Sequence, residues 1–205
     1  MITILDYGVG NLGSIKNMLK KLGYTSEIVS DKQKISLSEK FILPGVGSFD
    51  NCMVRLRNAP FFETFQKKVL QEKVNVLGIC VGFQMLFDSS EEGKQPGLGW
   101  IKGKVVKFDA TKLLPSLKIP HMGWTDVNIH KSSKLFSGLV EDPRFYFVHS
   151  YHAIDTVEEE AFLTCKYGYE FVCGVELGNI MGVQFHPEKS HTFGMQLLSN
   201  FASNY

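Results

Sequence analysis

Apolar runs of strand length alternate with amphipathic stretches along the first half of the chain. The runs fall at residues 2–7, 24–29, 40–43 and 74–79, and stretches with helical character at residues 12–22, 61–72 and from just after Cys80 to Asp88. The first stretch places Leu12, Ile15, Leu19 and Leu22 on one helical face. This order predicts an α/β fold with a mostly parallel sheet and helices on both faces.

The second half of the chain is richer in strands. Strand-like segments occur at residues 105–108, 126–129, 144–148, 162–167, 172–177 and 180–184, and a closing helix is expected over residues 192–203. Leu197, Leu198 and Phe201 form the apolar side of that helix. No repeat or linker interrupts the 205 residues, so we expect a single domain over residues 1–205.

Composition and charge exclude several classes of function. Hydrophobic residues make up 44% of the chain, which is enough for a core without metal or disulfide staples. The net charge of +1 gives no reason to expect a nucleic-acid or membrane surface. The four cysteines form no CxxC pair, so we predict neither a metal site nor a cofactor. Without a signal peptide or a long apolar run, a cytoplasmic protein with free thiols is expected.

Candidate chemistry concentrates on one cysteine. An apolar strand leads into Gly78-Ile79-Cys80-Val81-Gly82, and a helical stretch follows. Glycine on both sides of a nucleophile at a sharp strand-to-helix turn is the pattern of a nucleophile elbow. There the helix start favours the reactive thiolate. The plainer interpretation, a buried core cysteine, fits the other three cysteines, which lack this setting.

A cysteine nucleophile needs a base and a group that orients the base. His186 and Glu188 lie two residues apart, after a strand that is expected to end at His186. In an extended segment that spacing directs both side chains to the same side. Glu188 then accepts from one ring nitrogen and the other faces Cys80. Without Cys80, this pair is more simply a surface contact, and the other five histidines are expected to be structural or solvated.

The motifs around Cys80, His186 and Glu188 resemble those of the class I, or triad, glutamine amidotransferases. Within that family, the chain resembles the glutaminase subunits of imidazole glycerol phosphate synthase. The segments that carry this narrower resemblance run in order along the chain: Asp6 to Leu12, Leu43 to Phe49, His121 to Trp124 and Phe147 to Tyr151. The resemblance implies a flavodoxin-like fold with an extra antiparallel β region in the second half.

The resemblance also implies roles for individual residues. Cys80 attacks the side-chain amide of L-glutamine, and His186 passes the proton to the departing ammonia. Two N–H donors form an oxyanion hole, one at Val81 and one in the loop that contains Val46 and Gly47. Residues implied to contact glutamine are Gly47, Gln84, Glu92 and Ser150. Lys189 matches a position at the interface with the synthase subunit.

An acceptor for the ammonia is missing from the sequence. The chain has no Walker A loop and no Gly-x-Gly-x-x-Gly segment, so the acceptor must be another chain. The resemblance implies a HisF-type (β/α)8 synthase subunit as partner. That subunit converts the precursor PRFAR into imidazole glycerol phosphate and AICAR on the histidine pathway.

Three alternatives remain open at the level of sequence. Val81, Phe83, Thr125 and His152 depart from the residues usual in this family. The last two leave room for a paralogue that supplies ammonia to a different amidotransferase, such as one that builds bacterial surface sugars. A cysteine peptidase or other hydrolase on the same elbow is a second possibility. A flavodoxin-like binding module with a dead site is the third.

Overall fold

The computed structural model describes residues 1–139, 142–156 and 161–205, except the side chains of Ala161 and Phe162. The first half contains β1 (Ile2–Leu5), α1 (Leu12–Lys21), β2 (Ser26–Val29), α2 (Lys32–Ser36), β3 (Lys40–Gly45), α3 (Phe49–Asn58), α4 (Phe62–Leu70), β4 (Asn75–Cys80) and α5 (Val81–Gln84). The second half contains β5 (Ser89–Ser90), β6 (Lys104–Lys107), β7 (His121–Ile129), β8 (Arg144–His149), β9 (Tyr151–Ile154), β10 (Ala161–Tyr167), β11 (Tyr169–Leu177), β12 (Ile180–Val183) and α6 (His191–Asn204).

One sheet carries both halves of the fold. Its main path runs β2-β1-β3-β4-β12-β11-β10-β7-β8. The pairs from β2 to β12 are parallel, whereas every pair from β12 to β8 is antiparallel. The remaining strands, β5, β6 and β9, join beside β11. This arrangement confirms the predicted α/β fold with an antiparallel region in the second half.

The parallel strands bring three distant segments to one edge of the sheet. β4 lies between β3 and β12, with Gly45 opposite Cys80 and Val183 opposite Ile79. Parallel strands end at a common edge, which is where α/β proteins build their sites. The loop after β3, the turn after β4 and the segment after β12 therefore emerge together. Apart from the first residue of each strand, β3 and β4 are buried throughout, which is typical of central parallel strands.

Several elements differ from the sequence predictions. The helix expected to run to Asp88 ends at Gln84. Beyond Gln84 the N–H groups of Leu86 and Phe87 donate to carbonyls only three residues back. The Asp88 N–H donates to the Gly103 carbonyl, so no α-helical bond extends the helix to Asp88. The pattern analysis did not predict α2, α3, β5 or β9, and β7 begins at His121 rather than at Asp126.

Helices α3 and α6 each bury an apolar side. Phe49, Cys52, Met53 and Leu56 of α3 are all buried, at the spacing of one helical face. On α6, the predicted apolar side of Leu197, Leu198 and Phe201 is completely buried.

Within the described part of the chain, no helix combines the length and apolarity needed to cross a bilayer.

Glycines permit the close approach of β3, β4 and α5. A Cβ atom built on Gly82 would lie 1.9 Å from the carbonyl oxygen of Leu43. One built on Gly78 would lie 2.7 Å from the carbonyl oxygen of Gly82. Both obstacles are backbone atoms of central elements, which cannot swing away as a flexible side chain does. The turn at Cys80 can therefore close only with glycine at these positions.

We expect Gly82→Ala to destabilise the protein by about 2–3 kcal/mol or more, because the new methyl group overlaps the Leu43 carbonyl. Gly13→Ala is the matched control. Gly13 lies on the exposed side of α1 with no atom within 4 Å of a built Cβ, so alanine should stabilise by about 0.5–1 kcal/mol. Urea unfolding of both variants measures the difference. Equal stability of the two variants would contradict the close approach.

Candidate active site

Cys80 lies at the turn between β4 and α5 in a backbone conformation that L-residues rarely adopt. Its φ is 56° and its ψ is −111°. Holding a non-glycine residue in such a region costs about 1–3 kcal/mol, and the surrounding packing must supply that energy. The side chain is almost fully buried. The structure therefore contains the sharp turn that the glycine-flanked motif predicts.

The short α5 changes the predicted electrostatics of the thiol. A helix of four residues carries little of the macrodipole that a long helix places at its N-terminus. The expectation that a helix favours the thiolate is therefore weakened. The positive charge beside Cys80 comes from His186 instead.

His186 is held between Cys80 and Glu188. Its Nδ1–H donates to Glu188 Oε1 at 2.8 Å, and the two side chains are only 4% and 2% exposed. Burial on its own lowers the pKa of His186. Hydrogen bonds to Cys80 and Glu188, together with their charges, overcome this effect and raise the pKa to about 10. The imidazole therefore carries a positive charge at neutral pH beside the Cys80 sulfur.

A short 3-10 turn, not a continued strand, brings His186 and Glu188 together. β12 ends at Val183, and Pro187–Lys189 form the 3-10 turn that carries Glu188 back beside the imidazole. The prediction that the strand ends at His186 is wrong in this respect, although the two side chains do meet. The backbone N–H of His186 donates to the Tyr146 carbonyl at 2.9 Å, which ties this segment to β8.

The loop after β3 passes beside the thiol. Gly47 has a φ of 89°, and a Cβ built there meets no atom within 4 Å. The Val46 carbonyl accepts a hydrogen bond from Cys52 Sγ at 3.4 Å. Burial raises the pKa of Cys52 to about 11, so Cys52 stays a thiol and a donor. Because a trans peptide is planar, the Gly47 N–H points away from Cys52.

A cavity of about 440 Å³ opens at this edge of the sheet. That volume is in the range of small-molecule sites. The cavity is lined by every predicted site residue except Glu188, which lies behind His186: Val46, Gly47, Cys80, Val81, Gln84, Glu92, Ser150, His186 and Lys189. The structure therefore brings together residues that are far apart in the sequence.

Glu92 is fixed by contacts to α3. Its Oε2 accepts from the N–H of Phe49 at 2.8 Å. Asp50 holds the same loop, since its carboxylate accepts from the N–H groups of Lys94 and Gln95 at 2.9 to 3.0 Å. Glu92 is thus a half-buried wall of the cavity rather than an exposed loop acid.

Comparison with known proteins identifies the family of this chain. A family model described as glutamine amidotransferase class-I matches residues 3–204. The chain belongs to the class I glutamine amidotransferase family. The predicted family and fold are therefore confirmed.

Relatives of this amidotransferase include several HisH subunits of imidazole glycerol phosphate synthase. A HisH 2 subunit of Methanococcus maripaludis is 51% identical over 98% of each chain. The HisH subunit of Leptospira interrogans is 46% identical over 99% of this chain and all of its own. Among solved structures, a glutamine amidotransferase has a TM-score of 0.73 at 21% identity, covering 98% of this chain and 96% of its own. That structural likeness supports the fold alone.

Gln184 is a residue of the amidotransferase site that the sequence analysis missed. It is fully buried, its Oε1 accepts from Gln84 Nε2 at 3.0 Å, and its Nε2 lies 4.0 Å from Cys80 Sγ. Gln84 Nε2 also donates to the Tyr151 carbonyl at 3.2 Å. The available signal was position, because Gln184 precedes His186 by two residues and so lies on the same side of an extended segment.

His149 is the second residue that the sequence analysis missed. It was expected to be structural or solvated, yet it lines the cavity next to Ser150. Burial lowers the pKa of His149 well below its usual value, and the nearby His186 lowers it further. A neutral His149 therefore adds no second positive charge beside the protonated His186.

We expect the charge of His186 to speed the alkylation of Cys80 by iodoacetamide. Because the raised pKa of His186 keeps the imidazole charged until about pH 10, its charge is present throughout the range from pH 6 to 9. A positive charge beside a sulfur atom favours the reactive thiolate. In His186→Gln the charge is lost, so the rate at pH 6 should fall at least about tenfold.

His130→Gln is the matched control for this measurement, because His130 is an exposed imidazole that bonds to Thr164. Peptide mapping by mass spectrometry assigns the labelled cysteine. Equal rates for wild type and His186→Gln at pH 6 would show that the imidazolium does not activate Cys80.

Proposed function

We propose that this amidotransferase is a cytoplasmic glutaminase subunit that hydrolyses L-glutamine to glutamate and ammonia. The observation that carries the proposal is that Cys80, His186 and Glu92 line one cavity, with Glu188 bonded to His186 behind it. Hydrolysis of an amino-acid amide requires a nucleophile, a group that transfers protons and an acidic group that binds the α-ammonium. We propose that residues 1–205 act as one catalytic domain.

The first half of the reaction forms a thioester. Cys80 Sγ attacks the side-chain amide carbon of glutamine, and the carbonyl oxygen becomes an oxyanion. His186 Nε2 then gives its proton to the amide nitrogen, the C–N bond breaks and ammonia leaves. Glu188 holds the imidazole through Nδ1, so Nε2 stays directed at the reacting atoms.

The second half releases glutamate. Neutral His186 takes a proton from water, and the resulting hydroxide attacks the thioester carbon. The C–S bond then breaks, glutamate leaves and the Cys80 thiolate is restored beside a protonated His186. Both oxyanions need preset donors, and we assign these to the Val81 N–H and to the loop of Val46 and Gly47.

The remaining cavity residues are assigned to substrate binding. We propose that the Glu92 carboxylate holds the α-ammonium group of glutamine, since opposite charges attract strongly in a partly buried site. Glu92 is also anchored to the backbone of Phe49, so it can set the distance between the α-carbon and Cys80. We assign backbone contacts to Gly47 and Ser150, and place Gln84 beside the substrate as part of the wall.

We propose a HisF-type (β/α)8 synthase subunit as the ammonia acceptor, on the histidine pathway. The support comes from the names of the relatives, which are subunits of imidazole glycerol phosphate synthase. Near the cavity, Met122, Trp124 and Val46 are 60%, 41% and 39% exposed, a surface that favours protein contact. Lys189 lines the cavity and lies 5.6 Å from the centre of the Tyr146 ring, and we assign it to that interface.

Glutamate release from glutamine tests the proposal. The chain should release glutamate, and addition of a HisF subunit with a PRFAR analogue should accelerate release at least about tenfold, equivalent to about 1.4 kcal/mol of barrier. Cys80→Ala should release none under any condition while keeping its fold. Cys165→Ala is the matched control, because Cys165 is a buried cysteine on β10 outside the cavity.

Other outcomes of this experiment contradict particular parts of the proposal. Cleavage of peptides without glutamate release would indicate a peptidase. Full activity of Cys80→Ala would show that Cys80 is not the nucleophile. Acceleration by a surface-sugar amidotransferase and not by HisF would overturn the histidine-pathway partner alone.

A further inference from the structure

A buried line of hydrogen bonds leads from β7 to the cavity wall. Thr125 Oγ1 lies 2.8 Å from His121 Nε2, and His121 Nδ1 lies 2.9 Å from His149 Nε2. His149 Nδ1 lies 2.7 Å from the Tyr151 carbonyl oxygen. Both imidazoles are buried, and their strands pair with His121 directly opposite His149.

The donors and acceptors along this line of hydrogen bonds can be arranged in only one direction. A carbonyl oxygen can only accept, so His149 Nδ1 must carry the hydrogen. Burial lowers the pKa of His121 to about 4 and lowers that of His149 well below its usual value, so each ring holds a single proton near neutral pH. His149 Nε2 must then accept from His121 Nδ1–H. His121 Nε2, in turn, accepts from the Thr125 hydroxyl.

The line ends on the backbone that borders the glutamine cavity. The Tyr151 carbonyl also accepts from Gln84 Nε2 at 3.2 Å, so two cavity side chains share it. Ser150 lies between His149 and Tyr151, and its own carbonyl accepts from the Phe108 N–H at 3.0 Å. The position of Ser150 therefore depends on its own bond to Phe108 and on the bonds to the Tyr151 carbonyl.

We propose that Thr125, His121 and His149 are positioning residues that set the Ser150–Tyr151 backbone for glutamine binding. This inference rests on the proposed glutaminase function. None of the three is assigned to the reacting atoms. Their effect is to hold one wall of the cavity in the shape that accepts the substrate.

The Thr125 hydroxyl holds the far end of the line. Without that donor, His121 Nε2 is left as a buried acceptor with no partner, which costs about 1–3 kcal/mol. The His121 ring then loses one of the two bonds that fix its orientation. The bond from His121 Nδ1–H to His149 Nε2 weakens as a result, and His149 holds the Tyr151 carbonyl less firmly.

Packing is the competing explanation for the same residues. His121 stacks on Phe147 and Tyr167, with ring centres 4.8 and 4.0 Å apart. If packing alone mattered, Thr125→Val would be silent, since valine has nearly the same shape as threonine. Thr125→Ser tests the converse, because serine keeps the hydroxyl and removes only the methyl group.

The experiment measures glutaminase kinetics of Thr125→Val and Thr125→Ser with the activating synthase subunit present. We expect Thr125→Val to raise KM for glutamine about tenfold with kcat changed less than about twofold, which is the signature of lost substrate binding. Thr125→Ser should restore most of the KM. Thr164→Val is the matched control, because Thr164 also bonds to an imidazole, exposed His130, and does not line the cavity.

A ¹⁵N NMR measurement of the imidazole nitrogens supplies a second readout. His149 should carry its hydrogen on Nδ1 in both proteins, and its Nε2 resonance should shift in Thr125→Val because the bond from His121 weakens. An unchanged KM, an unchanged Nε2 resonance, or an equal loss in Thr125→Ser would each overturn the inference. An inactive wild type would instead contradict the proposed function.

Discussion

The contact between Gly82 and the Leu43 carbonyl determines where the reacting groups of this protein lie. It lets the start of α5 press against β3, and this closes the turn that holds Cys80 at a φ of 56°. The central strands β3 and β4 are buried apart from their first residues, so their packing can supply the energy that this conformation costs. The same register aligns the ends of β3, β4 and β12 and so brings the loop of Gly47 and the segment of His186 to the thiol.

Electrostatics at the site follow from that geometry. Burial alone would neutralise His186, yet its contacts with Cys80 and Glu188 reverse the effect and raise its pKa to about 10. Burial lowers the pKa of the neighbouring His149, and its bond to the Tyr151 carbonyl does not offset this effect. Two imidazoles in one cavity thus differ in charge, one carrying the proton that the proposed reaction needs and the other serving as a neutral hydrogen-bonding group.

Local patterns in the sequence predicted the parts of the site that depend on local structure. Cys80 was predicted as the nucleophile from its flanking glycines and its strand, and His186 and Glu188 as its partners from their spacing. Gln184 and His149 were missed because their roles arise from contacts between segments that are distant in sequence. Gln184 meets Gln84, and His149 meets His121 only through the register of β7 and β8. The predicted end of α5 was wrong for the same reason, since the Asp88 N–H donates to the distant Gly103 carbonyl and not to a carbonyl of the helix.

Peptide mass spectrometry tests the central claim, that Cys80 forms a covalent bond to the substrate. The chain is mixed with L-glutamine, quenched rapidly in acid and digested, and each cysteine peptide is examined for a γ-glutamyl group. The account predicts the adduct on the peptide that contains Cys80 and its absence in His186→Gln, where no imidazolium is present to protonate the leaving ammonia. Glutamate release with no adduct on Cys80, or an adduct on Cys52 instead, would contradict it.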